Sequence, residues 1–269
     1  MPFFIRRMRE GIRVAVHNRG LNDVNVLVEE LKNRSHRSYF EAIGRLEERG
    51  IDGLIVTAPD TLAMSEEIDR LVGAGIPVVT CDSDVRQSRR LYHIGQDMVK
   101  SGRVAAGLLA PYVADAEVLV VTGNREFTAH GLRVRGFLDR MHEIFGDEIN
   151  IHVIESVEQY DLTYDGVLQQ VRHNPRLRGI YMANESVRGC MDALERARPA
   201  RQVHVVCHDL TPHARQYLEG GRLDFIIDQD FSAQTTRAIE VLAHTLRTGE
   251  PPREAIEYIH TSIITRELL

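Results

Sequence analysis

Short apolar runs alternate with stretches of helical spacing along nearly the whole chain. Phe4, Met8, Ile12 and Val16 recur at helical intervals among Arg6, Arg7, Arg9, Glu10 and Arg13, which predicts a helix from Phe4 to His17, stopped by Gly20 and Asn22. Apolar residues at 24, 26 and 28 predict a strand from Val24 to Leu31. Helices are predicted over 38–49 and 61–74. Strands are predicted over 53–57 and 76–81, with a short one over 92–95, and the first two have the continuous apolar character of strands covered on both faces. After Gly95 the pattern restarts. Helices are expected over 98–113, 130–145, 161–174, 185–197, 210–219 and 233–247, and strands over 118–123, 149–155, 179–184, 203–209 and 223–230, with a last strand over 257–265.

Strict alternation of strand and helix implies parallel sheets with helices on both faces, and about ten strands exceed the usual single sheet. The expectation is an α/β protein of two doubly wound parallel-sheet lobes with a ligand cleft between them. The first lobe takes residues 1–96 and 231–258, the second 97–230 and 259–269. The alternation ought to open on a strand but opens on a helix, so the expectation is that either this lobe lacks its first strand or the chain is a fragment of a longer gene product.

Two of the apolar runs end in polar residues unsuited to a core, Asp209 and Gln229. In open α/β sheets, ligands bind just past the carboxyl ends of the strands. A carboxylate and an amide placed there suit a ligand rich in hydroxyls, although either can also cap a helix. In Cys207-His208-Asp209, neighbouring side chains point to opposite faces, so no catalytic or metal cluster is expected.

Composition narrows the classes further. Of 269 residues, 43% are apolar and 27% charged, and the net charge is −6 with 33 Lys and Arg against 39 Asp and Glu, a poor nucleic-acid surface by itself. Cys81, Cys190 and Cys207 sit in apolar runs without metal or redox spacing and read as buried thiols in a reducing compartment. No apolar stretch approaches a membrane span, and the N-terminus reads as no secretory signal, so a cytoplasmic protein is expected. Phosphate-binding glycine motifs and a nucleophile elbow are absent from the sequence, and no cofactor or metal is expected.

Several segments taken together resemble the type I periplasmic-binding-protein fold and, within it, the effector domain of LacI/GalR-family transcription regulators. They are Pro2-Phe3-Phe4, Gly50-Ile51-Asp52-Gly53-Leu54-Ile55-Val56, Gly75 to Asp82, Gly95-Gln96-Asp97 with Gly102, Arg133-Val134-Arg135-Gly136-Phe137, Cys207-His208-Asp209, and Ile227-Asp228-Gln229-Asp230 with Gln234. Ser83 and Met98 depart from the sugar binders' pattern. The resemblance implies that Phe3 and Phe4 wall a sugar ring, that Asp82 accepts hydroxyl hydrogen bonds from the first lobe, and that Arg133, Asn184, Asp209 and Gln229 complete the polar ring. Asn184 also suits a cap for the helix at Glu185, Asp82 a solvated turn, and Arg133 a surface position. The implied function is the sugar-sensing domain of a cytoplasmic, homodimeric repressor, reaching operator DNA only through a headpiece absent from this chain. The rival reading is a solute-binding protein of a sugar ABC transporter. A glycosidase using Asp82 and Asp209 is the enzyme reading, and it is set aside.

Overall fold

The structure, a computed structural model, describes residues 3–18, 20–31 and 33–269; Pro2, which opens the resemblance, lies outside the described residues. The chain divides into two units. The first comprises the described residues of Met1–Gln96 with Glu126–Thr128 and Asp230–Ile259; the second comprises Asp97–Arg125, Ala129–Gln229 and His260–Leu269.

In the first unit, strands β1 (Leu54–Val56), β2 (Val78–Cys81), β3 (Tyr92–Gln96) and β9 (Ile256–Ile259) form a parallel sheet in the order β1-β2-β3-β9. Helices α2 (His36–Glu48) and α3 (Leu62–Gly73) cover one face, where Tyr39, Ile43, Met64, Ile68 and Leu71 pack on Leu54 and Val78. Helices α1 (Phe3–Arg13) and α9 (Phe231–Thr248) cover the other, with Val241 and Leu242 on Val79, Cys81 and Ile94. Val78 and Val79 thus take opposite faces, as the two-residue period of a strand requires. Ser35 and Thr61 cap α2 and α3 by accepting from the backbone three residues on.

The second unit holds β4 (Glu117–Thr122), β5 (Asn150–Glu155), β6 (Leu177–Met182), β7 (His204–His208), β8 (Phe225–Gln229) and β10 (Thr261–Ile264), in the order β10-β8-β7-β6-β4-β5. All pairs are parallel except β10 with β8. Leu119, Val121, Ile180, Met182, Val205 and Cys207 face α6 (Tyr160–His173), α7 (Val187–Ala197) and α8 (Pro212–Glu219). Val118, Val120, Tyr181 and Val206 face α4 (Met98–Leu109) and α5 (Thr128–Phe145).

Two expectations are corrected. Residues 24–31 form no strand: no sheet of the described residues includes them. The alternation holds only in part: Val24 and Val26 pack toward Ile239 and Ala243 and Leu27 and Leu31 toward Tyr39 and Ile43, while Val28 is exposed. A strand also needs a hydrogen-bonding neighbour, which periodicity does not supply. The single last strand is two strands that meet at His260: β9 belongs to the first unit's sheet, and β10 runs antiparallel at the edge of the second.

Candidate functional site

The two units end corresponding strands in the same way. Asp82 follows β2 and Asp209 follows β7, and each donates its backbone N–H to the neighbouring strand, to the Ile94 and Ile227 carbonyls at 2.9 and 3.0 Å. Both then take the left-handed conformation, with φ of 65° and 66°. Asp tolerates this region better than most residues, and such backbone strain gathers at ligand sites.

In the first unit, the loop after Asp82 is fastened by a buried polar cluster. Arg90 grips the Asp84 carboxylate with Nε and Nη2. Thr80 Oγ1 donates to Asp84 Oδ1 at 2.7 Å, and Asp84 N–H donates to Thr128 Oγ1 at 2.7 Å. Because the Thr80 hydrogen goes to Asp84, His93 Nδ1, 3.0 Å from Thr80 Oγ1, is the donor of that pair. Burial by itself raises the Asp84 carboxyl, but Arg90, His93 and Thr80 outweigh it and the net shift is downward. Burial lowers His93 from the ordinary 6.5 to about 4, with Asp84 opposing and Arg90 assisting. The unfolded chain therefore takes up this proton first as the pH falls. The neutral His93 should hold its full stability above pH 6.5 and lose about 3 kcal/mol as the pH drops from there to about 4. Urea titrations near neutrality and near pH 4.5 should show that loss in the wild type and a smaller one in His93→Gln.

Phe4 meets the Phe231 ring edge-on, centroids 4.9 Å apart, and the Arg6 guanidinium lies over Phe3 at 5.6 Å. Both aromatics are half-buried and have partners within the first unit.

In the second unit the chain order reverses at β4, which lies between β5 and β6, and the switch point of an open α/β sheet is where ligands bind. Four predicted residues stand at the carboxyl ends of its strands: Arg133 on α5 after β4, Asn184 after β6, Asp209 after β7, and Gln229 closing β8. All four are buried. Gln229 Nε2 donates to Asp209 Oδ1 at 3.1 Å. Asn184 Nδ2 donates to Ser156 Oγ at 3.0 Å, and its Oδ1 accepts from Ser186 N–H at 3.2 Å, so Asn184 also serves as the turn cap before α7.

Arg133 is 2% exposed. Its Nη1 donates to the Ala183 carbonyl at 3.4 Å, whereas Nε and Nη2 make no hydrogen bond among the described residues. These two atoms form one edge of the guanidinium, the fork that takes two adjacent oxygens. Thr122 Oγ1, closing β4, and His208 Nδ1, closing β7, are likewise buried without a hydrogen-bond partner among the described residues. Tyr181 Oη lies 2.7 Å from His208 Nε2, and its ring stacks on Phe137 at 4.7 Å. Burial, then the charges of Arg133 and His130, hold His208 well below the ordinary histidine value. Burial raises the Tyr181 hydroxyl. His208 thus lies on the face of the sheet opposite Cys207, which packs with Cys190 and Met191. All three cysteines are buried and free, and burial pushes the Cys190 thiol up to about 12. Ser156 and the Ala183 carbonyl carried no signal in the sequence, since each enters through its neighbours in space, and His208 was legible only as the neighbour of Cys207 and Asp209.

Among the described residues no group of three or more His, Cys, Asp or Glu side chains is placed to hold a metal, and no helix is long and apolar enough to cross a membrane.

A family model described as periplasmic binding protein domain matches residues 1–251. The ribose import binding protein RbsB of Bacillus subtilis is 24% identical over 197 residues, covering 72% of this chain and 61% of that protein. The chain therefore matches less than two thirds of that relative's length. The D-ribose/D-allose-binding protein of Pseudomonas aeruginosa is 24% identical over 228 residues, 80% of this chain and 69% of the relative. In structure, an ABC transporter periplasmic solute binding protein of Actinobacillus succinogenes with bound D-allose superposes with a TM-score of 0.85 at 22% identity, covering 98% of this chain and 94% of the other.

These findings correct the reading as a LacI/GalR regulator. The relatives are import and solute-binding proteins, and the marks that suggested a regulator belong to a fold shared by both classes. The repressor, the operator-DNA contact and the homodimer rested on that resemblance and fall with it. So does the cytoplasmic expectation, since the matching family model is that of the periplasmic binding protein domain and the curated relative is an import binding protein.

Proposed function

The chain belongs to the periplasmic binding protein domain family, and from that membership we propose that it is the sugar-binding component of an importer. Its ligand is a free pentose or hexose of the ribose or allose kind. Its relatives are binding proteins of transport, not enzymes. The observation that carries the reading is Arg133, a buried cation whose Nε and Nη2 have no hydrogen-bond partner among the described residues, together with the Asp209–Gln229 pair at the ends of neighbouring strands. Adjacent sugar hydroxyls accept from the guanidinium edge and donate to a carboxylate, and Gln229 and Asn184 supply groups of both kinds. In the first unit we propose Asp82 as a hydroxyl acceptor and Phe3 and Phe4 as apolar surface for a sugar ring. A thermal-shift series with D-ribose, D-allose and D-arabinose tests the reading, because a ligand of the folded state alone raises the melting temperature. At least one of these sugars should raise it in a concentration-dependent way, and no shift with any of them contradicts the proposal.

A further inference from the structure

The carboxyl end of the second unit's sheet carries a row of residues in register. Met182 of β6 pairs with Val121 on one side and Cys207 on the other, so the next residues, Thr122, Ala183 and His208, continue as one row, and His208 pairs in turn with Ile227. Val120, Tyr181 and Val206, two residues earlier on the same strands, face α4 and α5, and residues two apart share a face. Thr122 and His208 therefore flank Ala183 on that face, about 10 Å apart at two strand spacings. Arg133 reaches the same row from α5, where its Nη1 donates to the Ala183 carbonyl, and one turn further along α5 the Phe137 ring stacks on Tyr181.

His208 is 1% exposed and Tyr181 is fully buried. Tyr181 Oη lies 2.7 Å from His208 Nε2, and one hydrogen fits between them. Burial, then the Arg133 charge, keeps the His208 ring neutral, and burial keeps the phenol protonated. The ring thus carries a single hydrogen. Placed on Nε2, it goes to the phenol oxygen, and both the phenolic hydrogen and the Nδ1 lone pair are left without a partner among the described residues. Placed on Nδ1, it lets the phenol donate to Nε2, and only the Nδ1–H is left over. Leaving one buried group unpaired costs less than leaving two, so the second arrangement is the one held. A hydrogen-bonded core pair explains Nε2 and the phenol, but it does not explain a buried donor at Nδ1.

We propose that His208 is a further ligand-binding residue, a neutral donor whose tautomer is fixed by Tyr181 and whose Nδ1–H goes to an oxygen of the bound sugar, beside the oxygens taken by Arg133. The inference rests on the sugar-binding reading of the same site. Arg133 Nε, Arg133 Nη2 and His208 Nδ1 are all buried donors without an acceptor among the described residues. The side of the sugar that meets them presents acceptors, which hydroxyl and ring oxygens supply.

The test uses the whole chain, isotope-labelled at histidine, with the His208 ring nitrogens followed by NMR near neutrality and identified by their loss in the double variant Tyr181→Phe/His208→Phe. Without sugar, the wild type should show the hydrogen on Nδ1. Saturating D-ribose should shift the Nδ1 signal well beyond that of Nε2. Tyr181→Phe alone should release the ring into both tautomers and weaken D-ribose binding about 2-fold or more, since only one form donates. The double variant removes both members of the buried pair, so it should melt no lower than the wild type without sugar. In calorimetry it should bind D-ribose about 10-fold more weakly, the loss of one hydrogen bond to the ligand. A ligand-free hydrogen on Nε2, an Nδ1 signal that ignores bound ribose, or wild-type affinity in the double variant overturns the inference. If the wild type binds no ribose, allose or arabinose, the sugar reading fails; a ligand-free hydrogen on Nδ1 then still supports His208 as an open donor, and one on Nε2 refutes that as well.

Discussion

Arg133→Met is expected to weaken sugar binding about 100-fold without lowering the melting temperature of the unliganded protein. The side chain is buried, and its one hydrogen bond among the described residues is 3.4 Å long. A buried cation so poorly matched contributes little net stability, because desolvation offsets what attraction it finds. Methionine fills a similar volume and adapts to irregular space. The loss should appear only with ligand. Hydrogen bonds from a charged donor are worth about 1.5–3 kcal/mol each, so removing the two from Nε and Nη2 costs about 3 kcal/mol, or about 100-fold in affinity. A variant that melts far below the wild type yet binds sugar equally well would make Arg133 a structural cation instead.

Gly102→Ala should have the largest effect on folding. Gly102 lies in α4, where alanine ordinarily gains about 1 kcal/mol over glycine. Here a Cβ would stand 2.0 Å from the Arg133 carbonyl, and the reciprocal Cβ on Gly136 would stand 2.1 Å from the Val99 carbonyl. The two helices meet backbone to backbone, and neither obstacle is a side chain that can swing aside. The overlap outweighs the propensity gain, and we expect a net loss of about 3 kcal/mol, or roughly 6–12 °C in melting temperature. Because the displaced carbonyl belongs to Arg133, sugar affinity should fall as well. Calorimetric melting with and without D-ribose measures both; a variant as stable as the wild type would show that α4 and α5 separate at little cost.

The layering of the fold was legible in the sequence because strands covered on both faces reveal themselves. Val118 and Val120 against Leu119 and Val121 required helices on both sides, and α4 to α8 supply them. The segment 24–31 misled because alternation reports which sides are apolar and not whether a neighbouring strand is there to bond. The last strand was read whole because the change of sheet at His260 is a fact of pairing. At the candidate site, the places of Asp209 and Gln229 at the carboxyl ends of strands were legible as polar ends of apolar runs. Their mutual hydrogen bond and the left-handed turns at Asp82 and Asp209 arise from tertiary approach, which has no periodic signature. The choice of regulator over transport protein failed for a related reason: the residues read were those that build the fold, and one fold serves both.

The central claim is that a hydroxylated ligand is held by the buried polar ends of the second unit's strands, with Arg133 at their centre. Equilibrium dialysis of labelled D-ribose, D-allose and D-arabinose against the wild type and Arg133→Met measures this most directly. The account predicts saturable retention of at least one sugar by the wild type and its near-complete loss in the folded variant. Equal retention by both proteins, or none by the wild type, would contradict it.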